Sequence, residues 1–387
     1  MTATTPSLRT FNIAVLPGDG IGVDVTREAV RVLEAVTPCL AAVKFAFHEY
    51  SVGAAEYLMR GNPLPTEALD GCAKADAVLL GAMGLPSVRW PDGKEMTPQI
   101  DLREKFQLYC GLRPIRLYHE NDTPLKGYRS GGFPAAPGTA ASLPPGKSLL
   151  GRGRLGSRPS CGIDFVIIRE STEGLFSARL SQADPAKGEV CDVMRITRAG
   201  SERVCRAAFR ESMKRRKQCT LVDKANVLPS MVYLRSVFDE VAKEFPEVQT
   251  SHCYVDAAAL FLVQTPHTFD VIVTENMFGD ILSDLAAGLV GGMGMAPSAD
   301  IGDDCAVFQP SHGTAPDIAG KGIANPVATI LSAALMLEWL DHPETVKGAQ
   351  RIHRAVETVL ADPANRTPDV GGKLTTTQMS EMIIAKL

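Results

Sequence analysis

The sequence predicts an α/β protein built around a buried, largely parallel sheet, and three observations carry that prediction. Its short apolar runs are continuous rather than alternating with polar residues, as strands covered on both faces are. Segments of helical period lie between them, such as Val327, Ile330, Leu331, Ala334 and Leu335. The 387 residues are 45% hydrophobic, which suffices for a large core and roughly two to three domain-sized units.

In chain order, the candidate strands are Phe11–Leu16, Val43–His48, Ala77–Leu80, Ile163–Ile168, Cys219–Val222 and Phe269–Thr274. Helical spacing falls on Val23–Val36, Gly200–Arg216, Pro229–Lys243 and Ala324–Trp339. No internal repeat is visible. The stretch from Lys126 to Ile163 breaks the pattern: it has no Asp or Glu, no periodicity, and much Gly, Pro, Ser, Ala and Arg. So long a structureless segment is uncommon inside a domain. We expect a mobile basic loop at about 127–162, an insertion between "PLKGYR" and "IDFVIIRE".

Composition narrows the function classes. A net charge of −4 and a pI near 6.0 give no reason to expect a nucleic-acid partner or an anionic membrane surface. No apolar run reaches the ~18 residues of a membrane span. The opening MTATTPSLRT has no apolar signal core. Nine cysteines are scattered singly without a Cys-x-x-Cys pair, which suits a reduced, cytoplasmic protein.

Two glycine-rich stretches resemble phosphate loops and lack the context for one. Ala141–Ser148 reads ASLPPGKS, but Pro144 and Pro145 remove two backbone donors, and neither a feeding strand nor a following helix is visible. Pro17–Gly22 reads PGDGIG after the first strand, with its third glycine one residue early for a dinucleotide fingerprint. A tight strand-to-helix turn explains it equally well.

The C-terminal half carries more chemistry. Asp280 and Asp284 lie four apart on a predicted helix and share a face, where two like charges repel. Helix capping would account for Asp280 alone. A hard divalent cation, Mg²⁺ or Mn²⁺, accounts for both, and Asp256 is a third oxygen donor nearby in sequence. Lys224 follows a strand, where α/β proteins place reactive groups, with Asp223 and Asn226 beside it. Arg103, Arg113 and Arg169 are forks suited to carboxylates. Singly, each of these residues reads as a surface ion pair. Arg169 and Glu170, however, end an apolar strand, where charge is costly unless it is used.

Together these stretches resemble the β-decarboxylating dehydrogenases, the isocitrate and isopropylmalate dehydrogenase family. The resemblance runs through "VLPGDGIG", "LREKFQLYCGLRPIR", "VIIRESTEGLF", "TLVDKANVLPS", "YVDAAAL", "DVIVTENMFGDILSD" and "QPSHGTAPDIAGKGIANPVATILSAALMLEWL". It implies the two-domain fold of that family with a non-Rossmann cofactor site: residues 1–108 plus 291–387 form a cofactor domain and 109–290 a substrate, metal and dimerisation domain. It further implies a homodimer whose sites are shared, NAD, and Mg²⁺ or Mn²⁺. The small-molecule substrate is a hydroxy diacid, a 3-substituted malate.

Under that resemblance Arg103, Arg113 and Arg169 clamp substrate carboxylates, with Glu170–Glu173 in the site wall. Thr97 and Gln99 border the 3-substituent. Asp280 and Asp284 hold the metal with Asp256 from the partner. Lys224, also from the partner, takes the hydroxyl proton, so that Lys224 and Asp256 form the catalytic pair. His312, Gly313, Thr314, Ala315, Asp317 and Asn325 bind the cofactor, and Asp317 favours NAD over NADP. Phe176 departs from the pattern, since the family carries a tyrosine there whose hydroxyl protonates the enol. The substrate stays open among isopropylmalate, isocitrate, homoisocitrate, tartrate and D-malate. A non-decarboxylating tartrate- or D-malate-type enzyme and a catalytically silent regulatory subunit are the competing readings.

Overall fold

The computed structural model describes residues 8–126, 162–179 and 188–387, with Ser181 and Ala186. The expected basic loop, apart from Gly162, and the Ala141–Ser148 stretch lie outside the described residues.

Among the described residues ten strands form one sheet: β1 (Arg9–Gly18), β2 (Val43–Glu49), β3 (Ala77–Ala82), β4 (Cys110–Arg116), β5 (Asp164–Glu170), β6 (Gln218–Asp223), β7 (Gln249–Tyr254), β8 (Val271–Thr274), β9 (Pro297–Ile301) and β10 (Ala306–Pro310). Their order is β2-β1-β3-β10-β9-β4-β5-β8-β6-β7. Pairing is parallel at both flanks and antiparallel in the centre, at β10–β9, β9–β4 and β4–β5. The two parallel flanks therefore meet through β4 and β9, which pair as Cys110↔Ile301, Gly111↔Asp300 and Leu112↔Ala299.

Helices cover both faces. Those on the N-terminal side are α1 (Ile21–Val36), α2 (Ala54–Arg60), α3 (Thr66–Lys74) and α4 (Pro98–Lys105). The middle of the chain supplies α5 (Arg198–Lys214), α6 (Pro229–Ala242), α7 (Val255–Gln264) and α8 (Asn276–Gly288). The end supplies α9 (Val327–Trp339), α10 (Pro343–Leu360) and α11 (Thr376–Ile384). No described helix is long and apolar enough to cross a membrane.

The continuous apolar runs have a direct cause. Phe11, Ile13 and Val15 of β1 pack with α1, α9 and α10, while Ala14 and Leu16 between them pack into a second core with Ala68 and Cys72 of α3. On β5, Val166 and Ile168 join a core with α5 and α6, and Phe165 and Ile167 join one with α8. Each strand buries both faces, so neither face needs polar residues.

β4 is the strand that the sequence hides. It reads CGLRPIR, with Pro114 opposite Val166 in the centre of the sheet and two arginines within seven residues. Proline and charge argue against a central strand. Here Arg113 lies 3.5 Å from buried Asp300, and Arg116 pairs with half-buried Glu357 at 2.7 Å.

Candidate active site

β5 ends at the junction between the flanks, and Arg169 there is 2% exposed. Its Nε and Nη2 both donate to Asn276 Oδ1, at 2.9 and 2.8 Å, and its Nη1 pairs with Asp280. Its guanidinium lies 5.3 Å from the centre of the Phe176 ring. Gly279 makes room for this stack: a Cβ there would sit 2.7 Å from the Arg169 side chain. Burial, with the neighbouring Arg103 charge, brings the Arg169 pKa down to about 10, while Asp280 opposes the shift. The charge at the end of the apolar strand is therefore held by α8.

Two further arginines converge on the same place. Arg103 Nε donates to Asp300 Oδ2 at 2.9 Å, and Arg113 Nη2 lies 3.5 Å from Asp300 Oδ1. Gln309 Nε2 donates to the same carboxylate at 2.5 Å. Burial alone would raise the Asp300 pKa, but Arg103, Arg113 and Arg169 outweigh it and hold the group below the usual carboxylate range. Arg113, fully enclosed, is pushed down by burial. The three arginines, Gln99, Asp280, Asp284 and His312 line one cavity of about 170 Å³.

Asp280 and Asp284 face that cavity from α8, and neither caps the helix. Glu275 does so, accepting from Phe278 N at 2.6 Å and Met277 N at 3.1 Å. Burial, then the like charge of Asp280, pushes the Asp284 pKa up. A group of three or more carboxylate, His or Cys ligands is absent among the described residues. Asp256 is not beside the pair: it takes Lys224 Nζ at 2.7 Å and its carboxylate is 69% exposed. Lys224 follows β6, two strands from β5. Asp223 is not its partner, being occupied by Arg235 at 2.7 and 2.8 Å.

Thr97 and the Glu170–Glu173 stretch do not stand where expected. Thr97 precedes α4 as its N-cap and is outside the cavity lining, whereas Gln99, one helical turn before Arg103, points in. Glu170 accepts from Thr172 N and Glu173 N at 2.9 and 2.5 Å, closing its own turn. Glu173 holds Thr197 N and Oγ1 at 2.8 and 2.5 Å, at the start of α5. Both glutamates brace the wall from behind.

The 312–317 loop borders the cavity through His312 and Gly313. Thr314 Oγ1 donates to Gly84 O at 2.6 Å, and Ile21 N donates to Thr314 O at 2.8 Å. Gly20, at φ +58°, is required for this approach, since a Cβ would lie 2.1 Å from Thr314 O. PGDGIG is thus a close-packing turn against the loop. Ala315 has φ +37°, and Asp317 is exposed. Asn325 is buried, donates to Asp369 at 3.1 Å and accepts from Val327 N, at the start of α9, at 3.1 Å. Burial lowers the His312 pKa, and its buried Nε2 has no hydrogen-bond partner among the described residues.

Sequence reasoning missed Asn276, Asp300 and Gln309. The last two leave a faint signal: each is a polar residue inside a short apolar strand, β9 (PSADI) and β10 (AVFQP).

The fold and its sheet junction, which gathers three buried arginines and two carboxylates around a small cavity, are those of an α/β enzyme for small molecules. The comparisons make this specific. The isocitrate/isopropylmalate dehydrogenase family model matches residues 12–131 and 136–384, and the chain belongs to that family of oxidoreductases. It is 41% identical over 388 residues to a 3-isopropylmalate dehydrogenase of Mannheimia succiniciproducens, covering 97% of this chain and 98% of that one. It is 43% identical over 367 residues to the enzyme of that name from Moorella thermoacetica, with 93% of each covered. Among solved structures, isocitrate dehydrogenase from Methylococcus capsulatus aligns with a TM-score of 0.80 and 34% identity, covering 97% of this chain and 99% of that one.

Proposed function

We propose that this protein oxidises the 2-hydroxyl of a 3-substituted malate with NAD and releases the 3-carboxylate as CO₂. The observation that carries this reading is the convergence of Arg103, Arg113 and Arg169 with Asp280 and Asp284 on one cavity. The arginines bind the malate carboxylates and orient the C2–C3 bond. NAD accepts the hydride. Exposed Asp317, unpaired among the described residues, suits free ribose hydroxyls and repels a 2′-phosphate. The orphaned His312 Nε2 and the 312–317 loop with Asn325 complete the cofactor wall.

Two carboxylates on one helix face, one of them raised by burial and then by its neighbour, fit a hard divalent ion held by Asp280, Asp284 and Asp256 of a second copy. When bound, Mg²⁺ or Mn²⁺ supplies Lewis-acid stabilisation of charge developing at the substrate's 2-oxygen. Lys224 of the second copy takes the hydroxyl proton at Nζ. Several exposed apolar side chains beside Asp256 and Asp280 support a homodimer: Leu260, Phe261 and Val263 on α7 and Ile281 on α8. The cleft then lies between units 1–108 plus 291–387 and 109–290. The eight described cysteines are all free, in keeping with the cytoplasm.

Mixing Lys224→Met with Arg169→Ala chains tests the sharing. Each alone should be inactive, and heterodimers should recover one working site in two. No recovery would remove the second copy from the site.

Phe176 supports a second reading, in which the reaction stops at oxidation to the keto acid, because this position lacks the hydroxyl with which the family completes the decarboxylating half of its reaction. The polar amide of Gln99, whose buried Oε1 is unpartnered among the described residues, favours a 3-substituent that hydrogen-bonds over a purely apolar one. A panel of 2-hydroxy diacids with NAD and Mn²⁺, following NADH and CO₂ together, decides both points. Equal yields establish oxidative decarboxylation, with water or another hydroxyl protonating the enol. NADH without CO₂ establishes the second reading, and absence of both products refutes turnover and leaves a silent subunit.

A further inference from the structure

On the opposite face of the same sheet lies a second and larger cavity, of about 580 Å³. Strand alternation puts it there. Arg113 and Arg169 line the active-site pocket, while their chain neighbours Leu112 and Ile168 line this one. Its walls come from both flanks of the sheet, with Ala207 and Arg210 on α5 and Leu335 and Trp339 on α9. A volume of this size matches ordinary small-molecule sites.

Most charges on its walls are already paired. Arg116 holds Glu357 at 2.7 Å, Lys214 holds Glu211 at 3.3 Å, Arg215 holds Asp164 at 2.6 Å and His353 holds Glu338 at 3.3 Å. Two groups are left over. Arg210 makes no hydrogen bond or ion pair among the described residues, and Asp303 only accepts from the Tyr109 hydroxyl, at 3.0 Å. Both act on Tyr109: burial and Asp303 push its pKa up to about 12, and Arg210 pulls it down. One cation without a hydrogen-bonded partner among the described residues, whose charge is felt by Glu244 as well as Tyr109, and one anion thus flank a single aromatic side chain over an apolar floor.

We propose that this cavity binds an α-amino acid with a bulky apolar side chain, its carboxylate on Arg210, its ammonium on Asp303 and its side chain against Leu335 and Trp339. A zwitterion matches both leftover charges, and an apolar tail matches the floor. A diacid would find one such cation here, against three clustered arginines in the front pocket.

Calorimetry on the full-length protein tests this with L-phenylalanine, 3-phenylpropionate and phenethylamine. Phenylalanine should bind once per chain, and each analogue lacking one charge about tenfold more weakly. Arg210→Gln should erase the preference over phenethylamine and keep that over phenylpropionate, and Asp303→Asn should do the reverse. Ala207→Trp fills the space and should abolish binding, while excess malate should not compete. None of these residues touches the front pocket, so turnover serves as the control for folding. Equal affinity for all three compounds, competition by malate, undiminished binding to Ala207→Trp, or no binding of phenylalanine at millimolar concentration would each overturn the proposal.

Discussion

Replacing Asp300 with alanine should destabilise the fold far more than an average point mutation. The carboxylate is 1% exposed, receives Arg103 at 2.9 Å and Gln309 at 2.5 Å, and sits 3.5 Å from Arg113. Those two arginine side chains are 9% and 6% exposed, so water cannot take over the lost charge. At an effective dielectric of 20, a unit charge pair at 4 Å is worth about 4 kcal/mol. Removing one partner of a buried pair costs roughly 3–5 kcal/mol. The Gln309 amide, left without its acceptor, adds about 1–3 kcal/mol where it cannot rehydrate. A loss of about 4–8 kcal/mol is expected, and Asp300→Asn, which keeps an acceptor and drops the charge, should fall between wild type and alanine.

Urea unfolding at fixed protein concentration measures this, and pH supplies the check. The folded pKa of Asp300 lies below its ordinary 3.8. Its contribution is therefore full well above 3.8, and it is lost as pH falls through the lower folded value. The gap between wild type and Asp300→Asn should be widest near neutrality and shrink below 3.8. An alanine variant within about 1 kcal/mol of wild type at pH 7, the size of an ordinary substitution, would refute the idea that Asp300 is the counter-ion of the arginine cluster.

Three other changes test separate parts of the site. Lys224→Met should lower kcat by about 10²–10⁴-fold with KM for the diacid little altered, as loss of a general base does; steady-state kinetics with a raised KM and normal kcat would make it a binding group. Asp284→Asn should weaken Mn²⁺ binding measured by calorimetry. In the wild type that affinity should already decline as pH falls toward a value above the ordinary 3.8, because burial and Asp280 raise the Asp284 pKa and only the deprotonated form is a ligand. Gly20→Ala, which drives a Cβ to 2.1 Å from Thr314 O, should raise KM for NAD more than KM for the diacid and lower Tm; equal effects on both substrates would separate the turn from the cofactor loop.

The chain order of polar and apolar residues was enough to declare the α/β class, since strands buried on both faces leave continuous apolar runs at β1, β3, β5, β6 and β8. The arginines, Asp280 and Asp284 were legible because their residue types and spacings suit carboxylate and cation chemistry, whereas the 312–317 loop was legible only through the family resemblance. What stayed hidden was which of them meet. Asp300 and Gln309 are far along the chain from Arg103, and their charge and amide acquire meaning only when β9 lies against β4 and beside β10. Thr97 and Gln99 are two residues apart and indistinguishable in sequence, but a helical turn sends only Gln99 into the cavity. The same holds for the second cavity, since Arg113 and Leu112 are adjacent in the chain and face opposite sides of the sheet. Local propensity reads along the chain, whereas burial and charge compensation are settled across it, between strands that the sequence does not place side by side.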